Sequence, residues 1–447
     1  MAEADAGCAE EPRGGFVAIA RGKIRRPMAE TGKFLFRKVE KAIEAIERTA
    51  DASATIMETA STVIEQFSEV LGVRGGRLYV HRDGGYELVR TFGNVPAITP
   101  GLFIPEDYVP IQTVVDEGVT VMDISAPGVD AELERRLGAE RFAAIAVGDD
   151  EYILSFSVDP AAPEDDLLSS LGILRLAVDQ KLRQDRYVSA LQEARRIQMS
   201  ILPKRAVRRG SLEIAGFTTP AELVGGDYFD FINVSDRLLG VAIADASGHG
   251  LPAALQVRDV YTGLRMAVER DFKIVRTVER LNRIIHESRL TTRFVSLFYG
   301  EIEDDGALMY VNAGHPHPLH FHGMNVTPLV QTGLVLGPTA TATYSRGYRR
   351  IEPGDALVLY TDGMVEAHGD NNEEFGPGRL TRAFLELRER PCDEIARELI
   401  GKVNEWSGGG DPEDDRTVVV LKRHFGAAPS EDRRPTSGTY PVPKGTV

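Results

Sequence analysis

Cysteine is almost absent from this sequence, whose 447 residues include only Cys8 and Cys392. Two cysteines cannot build a disulfide framework, and neither belongs to a Cys-x-x-Cys pair. Long apolar runs are absent as well, since none approaches the roughly 18 residues that a membrane helix needs. The apolar stretch at residues 16–20 is too short for the core of a signal peptide. We therefore expect a cytoplasmic protein with no membrane segment and no membrane partner.

Positive charge is in deficit. The chain has 52 Lys and Arg residues against 67 Asp and Glu residues, which gives a formal net charge of −15. No stripe of basic residues with interleaved aromatic residues offsets this balance, so nucleic acid is not an expected partner. The hydrophobic share of 43% is normal for folded cores, and the length allows two or three domains.

The sequence does contain acidic residues at the ends of apolar strands. From Leu238 to Ala244 no residue is charged, so this stretch predicts a strand buried on both faces that ends at Asp245. Burying an unpaired carboxylate is costly, and Asp245 is therefore expected to meet solvent, a cation or a metal. Gly248 and Gly250 allow the backbone to bend closely around that point.

The same pattern recurs three more times in the second half of the chain. Asp227 follows a pair of glycines, Asp362 ends another apolar strand, and Asp414 and Asp415 directly precede a β-branched strand. Any one of these is ordinary turn chemistry. If the loops converge, however, their like charges need a cation, and oxygen ligands without a nearby Cys favour Mg²⁺ or Mn²⁺. Two such ions about 3.5 to 4 Å apart suit the hydrolysis of a phosphate ester.

Seven blocks of sequence follow one another in order between residue 195 and residue 424. They are Ile197-Gln-Met-Ser-Ile-Leu-Pro203, Gly225-Gly-Asp-Tyr-Phe-Asp230, Ala244-Asp-Ala-Ser-Gly-His-Gly250, Arg293-Phe-Val-Ser-Leu-Phe-Tyr-Gly300, Asn312-Ala-Gly-His-Pro316, Leu359-Tyr-Thr-Asp-Gly-Met-Val-Glu-Ala367 and Asp414-Asp-Arg-Thr417. Together they resemble the SpoIIE-type branch of the PPM (protein phosphatase 2C-like) metal-dependent serine/threonine phosphatases. The resemblance implies an α-β-β-α sandwich with two Mn²⁺ or Mg²⁺ ions at one edge.

The resemblance also implies a set of metal ligands. These are the carboxylates of Asp227 and Asp245, the backbone carbonyl of Ala246, and the carboxylates of Asp362 and Asp414. Asp227 and Asp245 would serve both ions, whereas Asp362 and Asp414 would complete the ligands of one. The alignment of the last acidic pair is ambiguous by one residue, so Asp415 is a candidate ligand too.

His249 is a candidate general acid for the leaving serine oxygen, because its ordinary pKa suits proton donation near neutrality. The alternative is a turn residue that hydrogen-bonds the glycine-rich loop, since water near the metal ions can also protonate the leaving group. Glu366 lies four residues after Asp362, and we expect it to orient the loop rather than to bind metal.

A cluster of histidines suggests a second, competing metal site. His320 and His322 alternate along an apparent strand, and both could reach a zinc-type ion together with His315 or His317. Against this, the first of the four histidines belongs to a block that resembles a loop of the phosphatase family. The later histidines are typical of a strand surface.

Residues 51–178 are predicted to form one α/β domain. The order of helix, strands, helix, hairpin and helix is similar to that of GAF sensor domains, with the hairpin around residues 148–150. No Cys is present for a covalent chromophore, and His81 is interpreted as a surface residue of a strand. The sequence does not identify a ligand for this domain.

The remaining segments complete the domain organisation. Residues 1–32 are predicted to be a disordered arm and residues 425–447 a disordered tail. Residues 33–50 are predicted to form an amphipathic helix, because Leu35, Val39, Ile43 and Ile46 follow helical spacing. The phosphatase domain is predicted at residues 204–424. The overall fold class is therefore α/β (α+β), with two domains joined by a long helix.

Residues 179–203 are predicted to be the helical linker between these domains. An apolar stripe continues from the last helix of the sensor, and Pro203 ends it. A helix of this length with an apolar stripe suggests pairing with its copy in a homodimer that transmits the state of the sensor. The alternative is a helix folded back onto its own chain, because the stripe is irregular.

Three functions remain to be weighed. The leading one is a regulatory serine/threonine phosphatase that hydrolyses phosphoserine or phosphothreonine on a protein under the control of the N-terminal domain. The resemblance implies a phosphorylated anti-sigma-factor antagonist of the STAS type as substrate, in a bacterial partner-switching pathway. The alternatives are a catalytically inactive sensor or scaffold, which the retention of every expected Asp opposes, and a small-molecule phosphohydrolase.

Overall fold

The computed structural model describes residues 37–44, 46, 52–68, 72–96, 101–248, 250–269, 273–288 and 294–426. The chain divides into two compact units, Met1–Tyr187 (unit 1) and Val188–Val447 (unit 2). Within the described ranges, no helix is both long and apolar enough to cross a membrane. The predicted disordered arm lies outside these ranges, as does the predicted tail from residue 427 onward.

Unit 1 is built on a six-stranded antiparallel sheet with the strand order β3-β2-β1-β6-β5-β4. The strands are β1 (Gly75–Arg82), β2 (Gly85–Gly93), β3 (Phe103–Pro105), β4 (Val119–Asp123), β5 (Arg141–Val147) and β6 (Tyr152–Ser157). The helices are α1 (Ala52–Phe67), α2 (Val109–Glu117), α3 (Ala131–Arg136) and the long α4 (Glu164–Ile201). Residues 37–44 and 46 are helical, and Val39 and Ile46 are buried, which agrees with the predicted amphipathic helix.

The sheet of unit 1 buries both faces, so it carries two separate cores. On one face, Phe67 of α1 and Leu171 of α4 pack in a cluster with Phe156 of β6. On the other face, Val114 of α2 packs in a second cluster with Ile153 of β6. Strand β5 is buried along its whole length because it contributes to both clusters, and its sequence is accordingly apolar after the first residue.

The predicted hairpin is present between β5 and β6. Its turn places Asp149 and Asp150 at φ angles of 56° and 63°, a left-handed conformation that Asp tolerates better than most residues. Other predicted elements of residues 51–178 also occur where the pattern placed them, including helix α2. The similarity to GAF sensor domains stays a prediction.

Helix α4 runs without interruption for 38 residues. Its first turn carries Glu164, Asp165 and Asp166, which are favourable beside the positive end of the helix dipole. The helix begins in unit 1 and ends in unit 2, two residues before Pro203, so the predicted linker is part of a longer helix.

Unit 2 contains two sheets. The strands are β7 (Val207–Arg209), β8 (Leu212–Thr219), β9 (Asp227–Ser235), β10 (Leu238–Ala246), β11 (Val295–Glu303), β12 (Ala307–Ala313), β13 (Leu319–His322), β14 (Asn325–Pro328), β15 (Gly347–Arg350), β16 (Ala356–Tyr360) and β17 (Arg416–Arg423). The helices are α5 (Leu251–Glu269), α6 (Ile274–Glu287), α7 (Gly376–Leu387), α8 (Cys392–Trp406) and a 3₁₀ turn at Asp362–Met364. One sheet has the order β15-β12-β11-β10-β9, and the other has the order β14-β13-β16-β17-β8-β7.

The two sheets pack face to face, and helices cover the outer face of each. Phe229 of β9 and Val419 of β17 share one cluster, which also receives Leu264 of α5. On the far side of the second sheet, Val418 of β17 packs in another cluster with Leu399 of α8. The alternation of Val418 and Val419 between two cores follows from the two-residue period of a strand. The arrangement is an α-β-β-α sandwich, so the predicted fold class is confirmed.

Candidate active site

Two acidic residues lie side by side at one edge of the first sheet. In the antiparallel pairing of β9 and β10, Asp227 is directly opposite Asp245. Opposite residues of neighbouring strands point to the same face, so the two carboxylates are neighbours. Asp227 begins β9 and Asp245 stands next to the end of β10, as the apolar run before Asp245 predicted.

Asp415 holds the loop that leads into Asp227. Its carboxylate accepts hydrogen bonds from the backbone N–H groups of Ala221 at 2.7 Å, Gly226 and Asp227 at 3.3 Å. A side chain at Gly225 would approach the Asp415 carboxylate to 2.5 Å, and one at Gly226 would approach the Ala246 carbonyl oxygen to 2.7 Å. The glycine pair is therefore required so that this loop can lie against both groups.

The last turns of α4 hold the same loop from the other side. The Gln198 side chain donates to the Gly225 carbonyl oxygen at 2.6 Å and accepts from the Gly225 N–H at 3.2 Å. The Arg195 guanidinium donates to the Leu223 carbonyl oxygen at 3.0 Å. Both side chains are buried, so these bonds are made away from solvent.

A threonine next to Asp362 orients the Asp227 carboxylate. The Thr361 hydroxyl donates to Asp227 Oδ2 at 2.8 Å and is fully buried. The same hydroxyl oxygen accepts the Thr417 N–H at 3.0 Å. Thr361 thus connects the end of β16, the start of β17 and the first acidic residue of β9.

Asp362 and Asp414 complete the acidic group. Asp362 opens the 3₁₀ turn, in which its own carboxylate accepts the Gly363 N–H at 2.9 Å. Asp414 is exposed, and its carboxylate accepts the Asp415 N–H at 2.8 Å. Glu366 is exposed, its backbone N–H donates to the Asp362 carbonyl oxygen at 2.8 Å, and its negative charge contributes to the raised pKa of Asp245 and of Asp362. Its expected role in orienting the loop stays a prediction.

The electrostatics of these residues show how closely they are grouped. Burial, together with the negative charges of Asp362, Asp414 and Asp415, raises the pKa of Asp245 to about 8. Burial likewise raises the pKa of Asp362 to about 6, with Asp414 as the next contributor. The pKa of Asp227 lies well above its usual range, first because of burial and then because of Asp415 and Asp245. Without a cation, these carboxylates cannot all be ionised at neutral pH.

The donor set fits hard divalent cations by its chemistry. Asp227, Asp245, Asp362 and Asp414 offer carboxylate oxygens. The Ala246 carbonyl oxygen lies close to Gly226, in the loop that precedes Asp227. As they are placed, however, the described side chains include no group of three or more His, Cys, Asp or Glu residues gathered around one point as metal ligands. Binding would therefore require these side chains to turn toward the ions. The ligand assignment of the acidic residues stays a prediction.

The predicted site residues differ in what their carboxylates contact. Asp227, Asp245, Asp362 and Asp414 come together at one edge, where each raises the pKa of a neighbour or has its own raised. Asp415 also lies there, but three backbone N–H groups occupy its carboxylate. It is therefore better suited to positioning the loop than to binding metal. His249 lies outside the described residues.

The histidine cluster has other partners. His320 and His322 both bond to the carboxylate of Asp355, at 2.8 and 2.7 Å. His315 is buried, and its Nδ1 bonds the Ser296 hydroxyl at 2.8 Å. The expectation of a strand surface holds for His322 but is wrong for His320, which is buried against Asp355. Since no metal-like group occurs among the described histidines, the zinc alternative has no support.

Sequence reasoning missed Arg195, Gln198 and Thr361 as parts of the site. Gln198 and Thr361 stand inside blocks that resemble the family, but polar residues on a helix or beside a turn are usually exposed. Thr361 could have been predicted as part of the site from its position between a fully apolar strand and Asp362, because a buried hydroxyl there needs a hydrogen-bond partner.

The raised pKa of Asp245 predicts how stability depends on pH after removal of divalent ions with a chelator. The pKa of an Asp is about 3.9 in an unfolded chain, against about 8 in the folded protein. The folded state binds the proton more tightly, so this contribution is complete below pH 4 and is lost as the pH rises through 8, by at most about 1.4 kcal/mol per pH unit.

Asp245→Asn removes that titration, so the variant should lose less stability than the wild type between pH 5 and pH 8. Urea unfolding followed by the fluorescence of Trp406, the one tryptophan of the chain, measures the difference within unit 2. Parallel pH profiles for the two proteins would contradict the prediction.

The adjacent acidic residues are predicted to respond differently to substitution. Asp415→Asn places an amide N–H₂ among backbone N–H donors, and should destabilise the metal-free protein by about 2 kcal/mol. Asp414→Asn changes an exposed residue, and should leave that stability within about 0.5 kcal/mol of wild type. It should nevertheless reduce the stabilisation by added Mn²⁺. Urea unfolding with and without Mn²⁺ measures both effects. If Asp414→Asn destabilises the metal-free protein and Asp415→Asn reduces the stabilisation by Mn²⁺, the roles assigned to the two residues are wrong.

Comparisons with known proteins agree with this geometry. The family described as Stage II sporulation protein E (SpoIIE) matches residues 235–424. The phosphoserine phosphatase RsbU of Bacillus subtilis is 27% identical over 248 residues, which are 54% of this chain and 72% of RsbU. Protein IcfG of Synechocystis is 26% identical over 318 residues, which are 63% of this chain and half of IcfG.

Among solved structures, the SiaA-PP2C domain of Pseudomonas aeruginosa is 19% identical with a TM-score of 0.48, covering 54% of this chain and 98% of that domain. The RsbU and RsbW domains of Rv1364c from Mycobacterium tuberculosis are 25% identical with a TM-score of 0.44, covering 50% and 62%. Residues 235–424 of this chain are thus similar to the SpoIIE family of PP2C-type protein phosphatase domains.

Proposed function

We propose that this chain is a metal-dependent protein serine/threonine phosphatase that acts on a phosphorylated regulatory protein. One observation carries the proposal: separate loops bring Asp227, Asp245, Asp362 and Asp414 to one edge, where burial and neighbouring negative charge raise the pKa values of the first three. Two of the relatives, RsbU and RsbP of Bacillus subtilis, are named phosphoserine phosphatases, which supports phosphoserine as the substrate group.

In the proposed mechanism, Asp227, Asp245, Asp362, Asp414 and the Ala246 carbonyl would hold two Mn²⁺ or Mg²⁺ ions. Such ions would supply positive charge for the phosphate oxygens and would lower the pKa of the attacking water. The role of Asp415 is to fix the loop before Asp227 through three backbone N–H groups. The Thr361 hydroxyl then fixes the direction of the Asp227 carboxylate. His249 is carried over as the candidate proton donor to the leaving serine oxygen.

The N-terminal unit is proposed to act as a sensor that regulates the phosphatase. The support is that helix α4 starts in unit 1 and that its last turns hydrogen-bond the loop preceding Asp227. A movement of this helix would thus reach a candidate metal ligand through Gln198 and Gly225. We further propose a STAS-type anti-sigma-factor antagonist as substrate, in a cytoplasmic pathway of signal transduction that regulates a sigma factor in a stress response.

The activity is tested with three substrates at millimolar Mn²⁺: an aryl phosphate, a phosphoserine protein of the STAS type and a panel of phosphorylated metabolites. We expect release of phosphate from the phosphoprotein, and a loss of about a thousandfold in Asp245→Asn and Asp362→Asn because each removes a charged oxygen ligand. Asp305→Asn, an exposed acidic residue paired with Arg350, is the matched control and should retain full activity.

The outcomes separate the three functions. No phosphate release from any substrate would leave the sensor or scaffold as the function. Turnover of metabolites without turnover of phosphoprotein would identify a small-molecule phosphohydrolase.

The chain is also proposed to form a homodimer through α4. Exposed apolar residues on this helix include Leu176 and Tyr187, whose exposed fractions are 62% and 65%. Light scattering of the full chain should give twice the mass of 49.0 kDa, and Leu176→Glu with Tyr187→Glu should restore the monomer. A monomeric wild type at high concentration would refute the pairing.

A further inference from the structure

A serine on β11 continues the row of acidic residues at the edge of the first sheet of unit 2. In the pairing of β10 with β11, Asp245 lies directly opposite Ser296. On its other side, Asp245 lies opposite Asp227 of β9. Opposite residues of neighbouring strands point to the same face. The buried side chain of Ser296 is therefore a neighbour of the Asp245 carboxylate.

A buried histidine holds the Ser296 hydroxyl. His315 follows β12, and its Nδ1 lies 2.8 Å from the hydroxyl oxygen of Ser296. The loop that carries His315 is fixed in turn, because the Asn312 side-chain oxygen accepts the His315 backbone N–H at 2.9 Å. All three side chains are buried, so the contact between Ser296 and His315 is made away from solvent.

The surroundings of His315 determine which atom of this contact is the donor. Burial lowers the pKa of the His315 ring to about 3, so the neutral ring carries one N–H and one lone pair. The backbone of Tyr360 acts in the opposite direction and favours a proton on the ring. Because Ser296 occupies Nδ1, that proton belongs on Nε2, which makes no other hydrogen bond among the described residues. Nδ1 is then the acceptor, and the Ser296 hydroxyl donates to it.

We propose that Ser296 and His315 are positioning residues of the acidic edge, and that the Ser296 oxygen accepts a hydrogen bond from a water molecule held beside Asp245. His315 takes the only hydroxyl proton of Ser296, so it fixes the direction in which the remaining lone pairs point. The inference rests on the proposed function, because the divalent ions are what would bring an ordered water molecule to this edge.

The balance of donors and acceptors requires a third molecule at this point. With its proton given to His315, the Ser296 oxygen offers only lone pairs to its neighbours. An ionised Asp245 offers only lone pairs as well, so the two side chains cannot hydrogen-bond each other directly. A water molecule has two protons, and it can donate one to Ser296 and the other to Asp245. Ser296 thereby selects a donor at a place where the acidic residues alone would attract any cation.

The first test is calorimetric titration of the full chain with Mn²⁺. Ser296→Ala removes the acceptor and should weaken Mn²⁺ binding by about tenfold, which is the usual effect of losing a hydrogen bond in the outer shell of a metal site. Ser296→Thr keeps the hydroxyl and should restore most of the affinity. A serine that only joined β11 to the loop after β12 would affect the free energy of unfolding but not the affinity for Mn²⁺.

Tyr299→Phe is the matched control. It also removes a buried hydroxyl from β11, but Tyr299 is three residues further along the strand and points to the opposite face of the sheet. There its hydroxyl donates to the Glu301 carboxylate at 3.0 Å. The affinity of this variant for Mn²⁺ should equal that of the wild type, and urea unfolding should show that every variant is folded.

The second test asks whether His315 acts through Ser296. His315→Leu removes the acceptor and should weaken Mn²⁺ binding about as much as Ser296→Ala, whereas His315→Asn places an amide oxygen near the former Nδ1 and should retain more of the affinity. The double variant Ser296→Ala with His315→Leu should bind Mn²⁺ no more weakly than Ser296→Ala alone. Losses that add would mean that the two residues act separately.

The third test observes the ring directly. Correlation spectra of protein labelled with ¹⁵N-histidine distinguish a protonated ring nitrogen from an unprotonated one, and His315→Asn identifies the signals that belong to His315. The proton should be found on Nε2. A proton on Nδ1 would make the Ser296 oxygen the acceptor of that contact and would overturn the proposed orientation.

The results distinguish this inference from the proposed function. Wild-type affinity for Mn²⁺ in Ser296→Ala would overturn the inference alone. A wild-type chain that binds no Mn²⁺ would overturn both. Mn²⁺ binding that depends on Ser296, in a chain without phosphatase activity, would support the positioning role and refute the proposed function.

Discussion

Repulsion among buried carboxylates is the constraint on which the candidate active site depends. Asp227 and Asp245 face each other across two strands, and the pKa of each is raised by burial and by neighbouring negative charge. A sheet edge of this kind is unfavourable in the absence of a cation, because the burial of Asp227 and the partial burial of Asp245 limit the screening of their charges by water. The fold holds the acidic residues together despite this cost, which supports the proposal that the site binds divalent ions.

The surrounding structure holds these acidic residues in place. Backbone N–H groups of residues 221, 226 and 227 surround the carboxylate of Asp415, while Gln198 bonds the same loop from helix α4. Thr361 adds a hydrogen bond directly to Asp227. Asp227 cannot simply move away from Asp245 to relieve their repulsion, since the loop before it and one of its carboxylate oxygens are held by buried hydrogen bonds. Metal binding and the position of the α4 terminus therefore act on the same short segment.

The sequence predicted the strand ends but not the contacts between loops. An uncharged run that stops at Asp245 indicates a buried strand with an acidic end, and the structure has that strand. Asp414 and Asp415 are identical in type and adjacent, so only the fold shows that the carboxylate of Asp415 is occupied by backbone donors. Gln198 is one polar residue on a helix with many polar residues, and its burial depends on a loop that is distant in sequence. The longer helices and strands of unit 1 were readable from periodicity, whereas the short strand β3 and the short helix α3 were not.

Unit 2 contains buried negative charge that its described groups do not balance. It gathers acidic residues whose burial and mutual repulsion raise the pKa of Asp245 to about 8. A ligand that supplies the missing charge stabilises the state that binds it, because it removes an energetic penalty already present. Helix α4 belongs to both units, and its residues 195 and 198 hydrogen-bond the loop before Asp227. Regulation by this route requires a shift of α4 and does not require a change at the acidic residues themselves.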